Sequence, residues 1–316
     1  MELQYTNGGF VKSFFIFIII FGEMLLSLKG FAQALECRRG ESGEIVSIEG
    51  LVSEISPGST LFLGELHGFE VVASGQMQVL EELRRQGHKV DVGLEFFTYT
   101  KQSVVDQFVH GMINEGTFLD QVGWAKSMDF GFYRKQALFP RHDQGEFTWA
   151  INAPQNVTRS VAKRGLENLT EEEKQLLPPN LELGRADYLD RFRESMGGHV
   201  EEKDLLRYFQ AQSVWDETMA WQLTNHQTGN TKVVVVGEFH VQYGGGLPNR
   251  LSVRDPKMNI ITLGFMNIHN LSASEIDESI KPHEKWGIRE NFICLVDLPE
   301  TTKIWSSFKG LGRSYR

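Results

Sequence analysis

Two rhythms of apolar and polar positions run along this chain. Short apolar runs at Leu61–Leu63, Val90–Leu94, Thr148–Ile151, Lys232–Val236, Asn259–Leu263 and Phe292–Val296 read as strands. Between them, apolar residues recur at helical spacing. Val72, Val79, Leu80 and Leu83 mark a helix from about Val71 to Gln86, with Gly87 as its stop. Residues 101–122 repeat that spacing through Val104, Val105, Phe108, Met112, Phe118, Leu119 and Val122, broken near Gly111 and Gly116. A further helix follows the third strand as far as Gly165. From Leu166 to Leu223 every signal is helical, with a capping box at Thr170-Glu171-Glu172-Glu173 and a break at Pro178-Pro179. Strands alternating with helices predict an α/β fold, a mostly parallel sheet flanked by helices, with a smaller helical subdomain inserted around 166–225.

The first 34 residues follow another pattern. Lys12 precedes the apolar block Phe14–Phe21, and Ala32-Gln33-Ala34 follows, which is the layout of a secretory signal. Glu23 and Lys29 interrupt the apolar run and argue against a permanent span. Cleavage after Ala34 leaves residues 35–316 as the mature body; an uncleaved leader serving as membrane anchor is the alternative. Both place the body outside the cytoplasm, in the periplasm or at an outer membrane. The net charge of −9 and pI near 5.6, with no basic cluster, argue against a nucleic-acid partner. Two cysteines, Cys37 and Cys294, can pair in an oxidising compartment. Cys37 can instead stay free or carry a lipid, although Glu36 before it is not the small residue that lipidation signals prefer.

The candidate chemistry lies in a word written twice. The first strand ends in Gly64-Glu65-Leu66-His67 and a later one in Gly237-Glu238-Phe239-His240. Glu65, His67, Glu95, Asn152, Glu238 and His240 all follow the carboxyl ends of expected strands, where parallel α/β sheets bind ligands. In extended chain, residues i and i+2 face the same way, so each glutamate should point with its histidine. The glycines are expected to let the chain leave the strand without strain. A cleft of Glu65, His67, Glu95, Glu238 and His240 suits Zn, Mn, Co or Fe, or general acid–base work without a metal. Tyr133 and Tyr243 are candidate ligands for ferric haem iron. His110, His142, His199 and His226 lack such company and read as surface or structural, and Trp215, Trp221, Met219 and Phe209 read as core. Gly244-Gly245-Gly246 is no P-loop, because no Lys-Ser or Lys-Thr follows. Neither a serine-hydrolase elbow nor an H-E-x-x-H motif is present.

Five ordered blocks carry a resemblance: FLGELHGFEVVASGQMQVLEEL, VGLEFF, AINAPQNVTRSVAKRGLENL, AQSVWDETMAWQL and VVVVGEFHVQYGGGLPNRL. Together they resemble the ChaN-like haem-binding uptake family, in the superfamily that also holds the Tiki, TraB and erythromycin-esterase proteins. The resemblance implies an exported, often lipid-anchored bacterial protein of iron acquisition. It implies haem held by a tyrosine, with a homodimer sharing the site. The family's motif residues fall on Gly64, Glu65, His67, Glu95, Gly237 and His240, and its tyrosine before the third strand on Tyr133. The second motif departs from the family pattern, with Glu238-Phe239 where a small residue often precedes the histidine. That leans toward the metal-dependent relatives, so the alternative is a Tiki-type peptidase or esterase-like hydrolase working through the same glutamates and histidines.

Overall fold

Each inner strand can be followed residue by residue from core to rim. In the computed structural model, which describes residues 35–125, 128–197 and 200–299, the strands are β1 (Cys37–Arg39), β2 (Ile45–Val46), β3 (Thr60–Glu65), β4 (Val90–Thr98), β5 (Thr148–Asn152), β6 (Thr231–Gly237), β7 (Ile260–Asn267) and β8 (Phe292–Val296). They form one sheet in the order β2-β1-β8-β7-β3-β6-β4-β5. All pairings from β8 to β5 are parallel, whereas β1 runs antiparallel to β8 and β2. The fold is therefore α/β with a mostly parallel sheet.

Both faces of the central strands are buried, which is why their sequences read as unbroken apolar runs. Alternate residues turn to opposite faces. Leu61, Leu63, Val233 and Val235 join one core together with Val72, Val79 and Leu83 of the helix Glu70–Arg85. Phe62, Val234 and Val236 join another, closed by Met219, Ala220 and Leu223 of the helix Glu202–Asn225. That long helix also packs on the helices Gln155–Arg164 and Leu247–Arg254. The described residues between 35 and 299 cluster as one compact unit.

Cys37 and Cys294 are register partners on β1 and β8, and their sulfurs are joined in a disulfide. The sulfur to which a lipid would attach is thereby taken, which corrects the expectation of a lipid on Cys37. The leader, including its apolar block, lies outside the described residues. Among the described residues, no helix is long and apolar enough to cross a membrane.

Candidate functional site

The carboxyl ends of β3, β6 and β4 lie side by side, and they bring four of the motif residues together. His67 Nδ1 lies 2.7 Å from Glu65 Oε1, and its Nε2 lies 3.8 Å from Glu95 Oε2. His240 Nε2 lies 3.5 Å from Glu95 Oε1, while its Nδ1 lies 2.6 Å from Asp216 Oδ1. Both rings thus present Nε2 to one shared carboxylate and have Nδ1 held by a private one.

A buried tyrosine backs each pair. Tyr133 donates to Glu65 at 2.9 Å, and Gln76 donates to the other oxygen of Glu65 at 2.5 Å. Tyr188 donates to Asp216 at 2.9 Å and accepts from Gln212 at 3.0 Å. Carboxylates that orient imidazoles in this way fix the tautomer and favour the charged ring. Burial alone would lower the His240 pKa, but Asp216 and Glu95 carry it up to about 10. His67 is raised too, since Glu65 and Glu95 outweigh its burial. Burial would raise Glu95, but His240, His67 and the Gly237 N–H (2.6 Å) bring it down to about 2.

The second glycine matters for space rather than for dihedral freedom. Gly237 has φ −55°, open to any residue, but a Cβ there would lie 2.9 Å from His67 Nε2. β4 continues to Thr98, so Glu95 sits within the strand rather than after it. The β4–β5 register shifts between Leu94 and Thr98, an irregularity of the kind that re-aims side chains beside sites.

Glu238 departs from the expected constellation. Glu238–His240 forms a 3-10 turn, so residues i and i+2 no longer share a face, and Glu238 Oε2 meets Arg289 Nη2 at 3.1 Å instead. Asp216 of the helix Glu202–Asn225 takes the place that Glu238 was expected to fill. Among the described residues, no three or more His, Cys, Asp or Glu side chains are arranged to hold a metal ion. Of the five residues expected to share one cleft, Glu65, His67, Glu95 and His240 come together with both Nε2 atoms facing Glu95, and Glu238 is the one that turns away.

Above the cluster opens a cavity of about 670 Å³ lined by His67, Glu95 and His240, with Phe96, Trp124, Met128, Pro154 and Trp215 among its walls and Lys101, Asn152 and Arg159 among its polar groups. Trp215 packs against two of the core clusters, as expected, and also forms part of the cavity wall. His226 stacks on Trp149 at 3.7 Å, and the rings of His110 and His142 lie 5.2 Å apart. His199 lies outside the described residues.

The tyrosines separate sharply. Tyr133 is 1% exposed, its oxygen accepts from the Gly68 N–H at 2.8 Å, and burial followed by Glu65 drives its pKa far up. Its hydroxyl is engaged on both sides, by Glu65 and by the Gly68 N–H, and so supports the Glu65–His67 pair. Tyr243 does not line the cavity. It is half-buried and holds φ +58°, a left-handed conformation that is rare for a bulky residue. Its N–H donates to the Arg289 carbonyl at 2.7 Å. Its ring lies 5.6 Å from the Arg191 guanidinium and 5.5 Å from Trp286, which stacks on His283 at 4.2 Å. Among the described residues nothing hydrogen-bonds its hydroxyl. Burial, with Glu290 and Glu238, raises the phenol pKa, and Arg289 and Arg191 only partly offset the rise.

The mostly parallel sheet makes this an α/β protein, and the family model that matches it places it in the Tiki superfamily. Within that class the chain belongs to the ChaN family, described as haem-binding uptake, whose model matches residues 51–251. Its fold is similar to that of Campylobacter jejuni ChaN, a structure described for cofacial haem binding, at 18% identity and TM-score 0.57, covering 83% of this chain and 97% of that one. A Bacillus cereus protein is similar at 11% identity and TM-score 0.46, covering 83% and 95%. A mutant of the erythromycin esterase EreC in its open conformation is similar at 9% identity and TM-score 0.44, covering 82% and 97%. No curated protein sequence matches the chain significantly.

Proposed function

We propose that the chain is an exported protein of haem or iron acquisition that binds haem through Tyr243. The observation that carries the reading is the contrast between the two tyrosines. Tyr133 is buried and committed to Glu65, whereas Tyr243 is half-buried with an unpartnered hydroxyl and a strained backbone, a sign that runs from outlier to function. The surroundings fit the group. Bound haem would supply a ferric iron with an axial position and two carboxylates on a flat apolar ring. Tyr243 would hold the iron through its phenolate oxygen, the ligand type that catalases use. Arg191 and Arg289 offset part of the rise that burial, Glu290 and Glu238 impose on the phenol, and Arg191, which forms no ion pair among the described residues, suits a haem carboxylate. Trp286 and His283 offer aromatic surface to the ring. A homodimer sharing the site belongs to this reading. Family membership favours haem binding over the hydrolase alternative.

Haemin titration of the purified chain tests the assignment. The wild type should give a Soret band together with the visible charge-transfer band of phenolate-ligated ferric haem. Tyr243→Phe should lose the charge-transfer band and bind more weakly, while Tyr133→Phe keeps both features. Loss of the spectrum on His67→Ala or His240→Ala, with Tyr243→Phe unchanged, would overturn the assignment.

A further inference from the structure

The cavity over β3, β6, β4 and β5 is not used by the haem reading, which rests on Tyr243 outside it. We propose that this cavity is a second binding site, for a small organic anion whose acidic head sits on an aromatic or apolar body.

Three observations point there. First, the mouth is cationic in an acidic protein. Lys101 and Arg159 both line the cavity, and among the described residues neither forms an ion pair. Arg159 donates only to Gln155, at 3.0 Å. Many other arginines find carboxylates, as Arg39, Arg84, Arg164, Arg250 and Arg254 do, although Arg141 and Arg191 share the unpaired state of Arg159 among the described residues. Second, the helix Gln155–Arg164 begins at the cavity wall with Pro154 as N-cap, so no side chain caps its first turn. The positive end of its dipole therefore adds to the two cations. Third, the floor does not neutralise the mouth. Glu95 is shared by two imidazoles whose other nitrogens are held by carboxylates, so the carboxylate nearest the cavity is already engaged on both sides.

The remaining walls set the rest of the ligand. Phe96, Trp124, Trp215 and Met128 are apolar and polarisable, suited to a flat body. A volume of about 670 Å³ lies in the usual range for small-molecule sites. Carboxylates, sulfonates and phosphate monoesters share the chemistry of the head group.

The test uses the full chain with naphthalene-2-carboxylate and its neutral amide as probes. Trp124 and Trp215 in the walls report binding through their fluorescence, and calorimetry gives affinities. The acid is expected to quench and to bind about tenfold more tightly than the amide, a difference equal to two exposed charge contacts. The double variant Lys101→Met/Arg159→Met should erase that difference. Tyr243→Phe should leave it intact, and haemin should not displace the acid. Equal binding of acid and amide, no binding of either, or an unaltered preference in the double variant would overturn the proposal. Displacement of the acid by haemin would also overturn it, by making the cavity the haem site. The Soret readout is separate, so failure of this proposal and failure of the Tyr243 assignment are distinguishable.

Discussion

Glu95 shows how one side chain can govern two others. It lies 3.8 Å from His67 and 3.5 Å from His240, on β4, which neighbours the strand of the second motif copy and reaches the first copy across it. Replacing it with glutamine removes the charge that both rings face. The His67 and His240 pKa values should then fall, read by NMR titration of their ring signals; unmoved titrations would contradict the geometry. Glu290 offers a second test at this scale. It is 1% exposed, its carboxylate crowds Gly264, and burial pushes its pKa up to about 8, against the pull of Arg289. A raised folded pKa means that the native state binds the proton more tightly. The contribution of Glu290 to stability is full below the unfolded value near 4.5 and is lost as pH rises through about 8. Denaturant unfolding at pH 5 and pH 8.5 should show that loss in the wild type and a smaller one in Glu290→Gln. The two copies of the Gly-Glu-x-His word made Glu65, His67 and His240 legible from sequence alone. What the word could not reveal was its local geometry: an extended first copy keeps glutamate with histidine, while the 3-10 turn of the second separates them.

Among the elements, the helix Glu202–Asn225 does two tasks. Its apolar stripe of Met219, Ala220 and Leu223 closes one face of the sheet, and Gln212 and Asp216 interrupt its buried side with polar groups. Those interruptions were the one sequence signal for the second carboxylate, since polar residues at buried helical positions need partners. Asp216→Asn should lower the His240 pKa from about 10 and cost about 3–5 kcal/mol, the usual penalty for breaking a buried ion pair. Urea unfolding measures the loss, and a change below about 1 kcal/mol would contradict the pairing. The inner strands were readable because burial on both faces leaves nothing but apolar runs. Strands β1 and β2 were not, because three and two residues are too few to show a period. The helix Gly131–Ala137, which carries Tyr133, is also short, and its burial comes from packing that sequence spacing does not display.

For the molecule as a whole, the disulfide joins the first described strand to the last across a separation of 257 residues. Closing so long a loop restricts the unfolded chain strongly, and a contribution of about 2–4 kcal/mol is expected. Cys37→Ser/Cys294→Ser should lower the melting temperature while leaving the cavity's preference for acid over amide unchanged, because both residues lie on the β1–β8 side of the sheet, away from the cavity over β3, β6, β4 and β5. The structure holds two different environments. One is a partly open cavity over β3, β6, β4 and β5. The other is an aromatic patch around Tyr243, Trp286 and His283, beside the Arg289–Glu238 ion pair.

A crystal structure of the haemin complex, with iron located by its anomalous scattering, tests the central claim most directly. The account predicts the iron bound to the phenolate oxygen of Tyr243. An iron peak between His67 and His240, or anywhere inside the cavity, would contradict it.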